Sequence, residues 1–125
     1  MTDMSSEKFK VDDMIVRSAT DDDISVLHEL FERGRIEGQT RENDTGADLD
    51  YLADAYVECK DSGFWVAQYE GWIVGMIGVQ RISDSSAEIR RLRVRDTFRR
   101  KGIGTQLMQH AISFCRDREF LKVVL

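Results

Sequence analysis

Arg99, Arg100 and Lys101 run directly into Gly102-Ile103-Gly104-Thr105, and Leu107, Met108, Ala111, Ile112, Phe114 and Cys115 follow at helical spacing. A helix N-terminus presents backbone N–H groups that lack intrahelical acceptors and carries about half a positive charge. Glycine at that point lets phosphate oxygens reach the main chain without meeting a Cβ. Three cations at the mouth add charge-assisted hydrogen bonds. The chemistry such a segment suits is the cradling of a pyrophosphate. A turn that merely contains two glycines is the plainer alternative, and the position between an arginine-rich strand and an amphipathic helix argues against it. Between Arg90 and Lys101 seven bases (Arg90, Arg91, Arg93, Arg95, Arg99, Arg100 and Lys101) face the single acid Asp96. A solvated strand face is the other reading of that run.

The elements that would hold this segment belong to one domain, since 125 residues are too few for two separate cores. Hydrophobic residues at 42 % are enough for a folded core. The net charge of -5 hides an asymmetry: residues 1–80 hold 18 acids and 7 bases, residues 81–125 hold 5 acids and 11 bases. The last third therefore attracts an anion. A nucleic-acid module would show the same basic run, but such domains are usually basic overall, and the pI here is near 5.0. No window reaches the apolar length of a membrane span and no apolar leader opens the chain, which points to a cytoplasmic setting. Cys59 and Cys115 lack metal-ligand spacing and read as two buried thiols, and His28 and His110 stand too far apart to suggest a metal site or a Ser/His/Asp triad. No metal is expected.

Residues 1–12 are polar and aperiodic and read as a flexible terminus, leaving 13–125 as the domain. Met14 to Ser18 has the look of a first strand. Ile24, Leu27, Leu30 and Phe31 form one helix face, capped by Thr20 or Asp21 and running to about Arg35. Glu37 to Asp48 reads as a loop, and Leu49, Leu52, Ala55, Tyr56 and Cys59 predict a second helix ended at Asp61-Ser-Gly63. Phe64–Tyr69 and Trp72–Val79 flank the turn Glu70-Gly71 as a hairpin, whose second strand is apolar throughout and so central. Trp65 and Trp72 read as cross-strand packing, with substrate stacking as the alternative. Ala87–Val94 is a fourth strand, the helix from the glycines stops near Arg116 with His110 off its apolar stripe, and Leu121–Leu125 begins an apolar strand that reads as interior and parallel. The order β-α-α-β-β-β-α-β predicts an α/β fold of the α+β kind, a mixed sheet with helices on its faces.

With these elements in place the chain resembles the GNAT-type N-acetyltransferases. Their acetyl-CoA motif is similar to Arg99-Arg-Lys-Gly102-Ile-Gly104, preceded by a strand ending in Leu92-x-Val94. Val16-Arg17-Ser-Ala-Thr20 with Asp23-Ile24 resembles the family's first strand and helix start, and Phe64–Ile82 its second and third strands; the likeness covers about residues 14–125. Asp96 and Thr97 stand where many members have proline, and no glycine separates Arg99 from Lys101. The resemblance implies a GNAT-like acyl-CoA N-acyltransferase fold, with acetyl-CoA held by Leu92, Arg93, Val94, Arg99, Arg100, Lys101, Gly102, Ile103, Gly104 and Thr105. It implies a bulge that splays the fourth strand from the fifth, pantetheine amides paired to Leu92–Val94, and a backbone N–H near Val94 facing the thioester carbonyl. The implied reaction is direct acetyl transfer to an amine, small-molecule or peptide.

Glu88, on the same strand and fourteen residues before Gly102, stands where the histone-acetylating branch carries its glutamate base. A strand carboxylate paired with Arg90 or Arg91 is the alternative. The loop between the first two helices helps shape the acceptor pocket in this family, so Glu37, Glu42, Asp44 and Asp48 are candidates for favouring a cationic amine, with plain solvent exposure as the other reading. Family members usually continue past the last strand with a helix, which often bears a tyrosine serving as general acid for the leaving thiolate, and two more strands. The resemblance therefore implies a fold truncated after the fifth strand, whose exposed edge invites self-association. A catalytically inactive CoA-binding relative would share every cradle residue.

Overall fold

The computed structural model describes residues 8–36, 44–57 and 60–125. Seven regular elements appear in the expected order: β1 (Ile15–Ser18), α1 (Ile24–Ile36), β2 (Gly63–Tyr69), β3 (Trp72–Arg81), β4 (Ser86–Val94), α2 (Ile103–Asp117) and β5 (Lys122–Val124). They form one mixed sheet in the order β1-β2-β3-β4-β5, antiparallel through β4, with β5 parallel to β4. β3 is the middle strand, as its apolar composition predicts. The β2–β3 hairpin turns at Glu70 and Gly71, both with positive φ (49° and 83°), the type I′ geometry that matches strand twist.

Alternation along β2 sends Trp65 and Ala67 to one face and Phe64 and Val66 to the other. The first face packs on Ile103, Leu107, Ala111 and Cys115 of α2. The second packs on Leu27, Leu30 and Phe31 of α1 and on Leu49, Leu52 and Tyr56. The start of α1 is fixed by Asp23, which is buried: it accepts hydrogen bonds from both terminal nitrogens of Arg17 at 2.9 Å and from the Thr20 N–H at 2.8 Å. The Arg17 guanidinium holds this carboxyl below the usual carboxylate range, although burial opposes it. Thr20 precedes a 3-10 turn, Asp21–Asp23, that leads into the helix.

Several expectations need correction. The second helix is not regular: a 3-10 turn spans Ala47–Tyr51 and a π turn spans Ala53–Val57. Spacings of three and four mark a buried face in either winding, so periodicity finds Leu49, Leu52 and Tyr56 without fixing the coil that carries them. Cys59 lies outside the described residues; Cys115 is a buried free thiol. β5 is parallel but not interior. It pairs on one side only, among the described residues, and Leu121 and Leu125 are 87 % and 84 % exposed. Trp65 and Trp72 each have a cross-strand neighbour, in keeping with the packing reading. Trp65 lies opposite Ile77 and packs edge-on to His110 and Phe114 of α2, while Trp72 lies opposite Tyr69. His110 accordingly faces the sheet, and burial pushes its imidazole pKa down.

At the near end, Phe9 packs edge-on against Tyr69 and Phe98, seating residues 8–13 on the sheet. No helix among the described residues is long and apolar enough to cross a membrane.

Candidate functional site

β4 leads to the site, and its register with β3 explains how. Gly78 lies opposite Arg90 and Met76 opposite Arg93, so Arg91 and Leu92 together face Ile77. This is a β-bulge, and Arg91 takes the left-handed conformation (φ 62°) at its first position. Beyond it the Arg95 N–H donates to the Val74 carbonyl at 2.8 Å. Strand alternation then turns the Val94 N–H away from β3, toward the opposite edge. β5 pairs only with Ser86–Glu88, so from Ile89 to Val94 that edge has no strand partner among the described residues.

After β4 the chain makes a 3-10 turn, Asp96–Phe98, and enters α2. The turn forms without proline because the Asp96 carboxylate accepts the Thr97 N–H (2.9 Å) and the Phe98 N–H donates to the Arg95 carbonyl (2.8 Å). Phe98 is fully buried beneath it. Gly102 is the N-cap of α2 with φ 87°, and no side chain caps the helix. Only a Val11 methyl, at 4.0 Å, lies near where a Gly102 Cβ would stand, so the glycine answers the backbone conformation and not crowding.

Over this mouth lies a hollow of about 250 Å³, lined by Val94, Phe98, Arg99, Arg100, Gly102, Ile103, Gly104 and Thr105. Seven of the ten residues read from sequence as cofactor-binding thus share one cavity. Lys101 is exposed beside it, while Leu92 and Arg93 sit further back along β4 and do not line it. The hollow, the donor-rich helix end and the cations suit a pyrophosphate.

The seven-base run divides in two. Arg99 reaches back to the Val94 carbonyl (3.4 Å) and stays at the mouth with Arg100 and Lys101. The arginines of β4 and the residue after it mostly serve elsewhere. Arg90 pairs with Glu88 (3.0 Å) and Gln80 (2.7 Å), Arg93 donates to the Leu92 carbonyl (2.9 Å), and Arg95 bonds Glu29 (2.7 Å) and the Ile73 carbonyl (3.1 Å). Glu88 lies between Gln80 of β3 and Val124 of β5, three residues before the bulge, with Arg90 as its ionic partner.

Arg91 is the residue whose place the sequence reading missed. Its side chain is 5 % exposed. It grips both oxygens of Asp44 and both of Asp48, while its guanidinium lies 5.1 Å from the Phe31 ring centroid. The buried Tyr56 hydroxyl donates to Asp48 at 2.5 Å. Burial pushes the Asp48 carboxyl up, but bonds from Arg91 and Tyr56 outweigh it and leave the pKa low. Arg91 holds Asp44 low as well, while burial and Asp48 raise the Tyr56 hydroxyl far above the phenol range. Asp44 and Asp48 are therefore both bonded to Arg91 and are not simply solvated loop carboxylates; Glu37 and Glu42 lie outside the described residues.

Comparison with known proteins gives the family and the fold. The family model described as Acetyltransferase (GNAT) family matches residues 26–125. The chain is 36 % identical over 76 residues to the probable N-acetyltransferase camello of Xenopus tropicalis, covering 59 % of this chain and 35 % of that protein's length. The crystal structure of an acetyltransferase of GNAT family from Staphylococcus aureus superposes with a TM-score of 0.77 at 21 % identity, over 86 % of this chain and 68 % of that one. That of a predicted acetyltransferase with acetyl-CoA from Clostridium acetobutylicum gives 0.71 at 20 % identity, over 90 % and 79 %.

Proposed function

Because this chain belongs to the GNAT acetyltransferase family, we propose that it binds acetyl-CoA at the mouth of α2 and transfers the acetyl group to a primary amine. The observation that carries the reading is the hollow of about 250 Å³ over an uncapped helix end, placed beside the open edge of β4. In this reading Arg99, Arg100 and Lys101, with the N–H groups from Gly102 to Thr105, hold the pyrophosphate. Leu92–Val94 pair with the pantetheine amides as an added strand would. Acetyl-CoA supplies the activated acyl carbon.

The Val94 N–H, turned toward that edge, donates to the thioester oxygen as negative charge builds there during amine attack. The amine nitrogen bonds to the acyl carbon, the carbon–sulfur bond breaks, and the sulfur leaves as thiolate. An alkyl amine is about one part in a thousand neutral at pH 7, so its proton needs an acceptor. Glu88 takes that role, with Arg90 fixing its carboxylate. The exposed edge at β5 is proposed to pair with a second copy of the chain.

Calorimetric titration with CoA, followed by acetyl transfer to a panel of amines, tests the reading. CoA binding with transfer is the expected result. Binding without transfer would make the chain an inactive CoA-binding relative, and no binding would overturn the cradle. Glu88→Gln keeps the shape and removes the base, so transfer at neutral pH should fall about a hundredfold, with CoA affinity retained and part of the rate recovered at higher pH. An unchanged rate with saturating amine would end the role of Glu88.

A further inference from the structure

We propose that residues 44–57 form the acceptor-side wall and that Arg91 is a positioning residue that locks them to the β4 bulge, so that the amine meets the thioester in one fixed geometry. The inference rests on the acetyl-transfer reading and goes beyond it in assigning work to a residue that touches neither substrate.

Three elements that share no backbone hydrogen-bond ladder converge on this one guanidinium: Phe31 from α1, Asp44 and Asp48 from the segment before β2, and the bulge of β4. The bulge makes the convergence possible. In an unbroken strand, neighbours point to opposite faces. The left-handed turn at Arg91 restores the alternation one residue late, so Arg90 and Arg91 both act on the charges of the α1 face, where each perturbs Asp48 and Tyr56.

A buried ion pair is a poor source of net stability, because apolar side chains of similar size fill such a space without the desolvation cost. What the pair supplies is register. Two carboxylates four residues apart, each held by two nitrogens of a planar fork, fix both the distance and the orientation of their segment relative to the strand. The anchor point lies three residues before Val94, whose N–H faces the open edge. The wall is thus referenced to the strand that would align the thioester, while the pyrophosphate hollow beyond Phe98 draws on none of these groups.

Loosening the clamp lowers the fraction of molecules whose wall is competent. Apparent acceptor affinity falls by that fraction, and bound amine selects the closed wall again at saturation. The test uses the full chain, acetyl-CoA at saturation, and spermidine, L-aspartate and an alanyl-glycine dipeptide as amines. Asp44→Asn and Arg91→Lys should each raise the amine KM about tenfold or more, leave kcat within threefold and leave CoA affinity within twofold. Combining them should add little to either alone, since both remove one contact. Backbone amides of 44–57 should exchange faster in both variants, with those of α2 unchanged. Asp44→Asn, at a carboxylate a quarter exposed, keeps the test open if Arg91→Lys does not fold. A kcat loss with unchanged KM, or unaltered exchange at 44–57, would overturn the clamp. A parent that acetylates none of the three amines would instead remove the acetyl-transfer reading on which the proposal stands.

Discussion

Replacing Gly102 by valine separates backbone conformation from bulk at the cradle. Gly102 has φ 87° and ψ 3°, and only one methyl, at 4.0 Å, lies near the position of an added Cβ. No clash forbids the side chain, so the cost is conformational, about 1–2 kcal/mol for a non-glycine residue held in the left-handed region and more for a β-branched one. If the fold holds the conformation, that cost appears in the melt. At about 2.1 cal/mol/K per residue it lowers the midpoint by roughly 4–8 °C for a chain of this size. If the backbone relaxes, the N–H groups at the mouth rotate, and each lost charge-assisted bond to phosphate costs about 1.5–3 kcal/mol. Two such losses weaken CoA by a hundredfold or more. Gly104→Ala is the control. Its Cβ would meet Val94 Cγ2 at an ordinary 3.7 Å and needs no positive φ, so it should gain about 0.5–1 kcal/mol of helix propensity and, unlike Gly102→Val, melt no lower than the parent. Calorimetry with CoA and a thermal melt on both variants give the comparison. A Gly102→Val protein that melts with the parent and binds CoA equally well would refute the cradle.

Arg99→Ala and Lys101→Ala should each weaken CoA binding by about 1–2 kcal/mol, less at high salt, whereas Arg91→Ala should lose stability and not phosphate affinity, because it strands two carboxylates; equal CoA losses at all three positions would refute this division. Acid should unfold the chain through Asp23, Asp44 and Asp48. Their carboxyls are depressed in the fold, so the stability they confer is complete above the ordinary carboxylate value and is lost as pH falls through the lowered ones. Asp23→Asn should be less stable at neutral pH and flatter in acid by urea titration, and a slope equal to the parent's would count against the Arg17–Asp23 pair. Light scattering at rising concentration should show dimers formed through β5, and a monodisperse monomer throughout would remove that association.

Element order was legible because each segment buries a face with a clear period. Met14–Ser18 and Phe64–Val79 alternate or run apolar, and the stripe from Ile103 to Cys115 repeats at helical spacing. The winding between residues 47 and 57 was not legible, because Leu49, Leu52 and Tyr56 occupy one face in a 3-10, α or π coil alike, and the choice depends on contacts with Phe64 and Asp48. The reading of β5 as an interior strand failed for a related reason. An apolar run such as Val123-Val124-Leu125 records what a strand is suited to meet and is silent on whether anything meets it.

The bulge left a mark that composition alone obscured. Ala87-Glu88-Ile89-Arg90 alternates in and out, and Leu92-Arg93-Val94 alternates again, but Arg90-Arg91 places two polar residues in succession. A strand that doubles one polar position and then resumes its period has gained a residue, which is the definition of a bulge. Treating all seven bases as one anion-seeking surface hid that break. The charge asymmetry between the two parts of the chain has a corresponding explanation. Arg91 is neutralised by Asp44 and Asp48, Arg95 by Glu29, and Arg81 by Asp61, each acid coming from the acidic first two-thirds of the sequence. Much of the separation in sequence is therefore complementarity in the fold, with acids on the segments between β1 and β2 meeting arginines on β3, β4 and the residue beyond. The cradle reading draws instead on Arg99, Arg100 and Lys101, which stand together at the mouth of α2 beside Gly102 and Gly104.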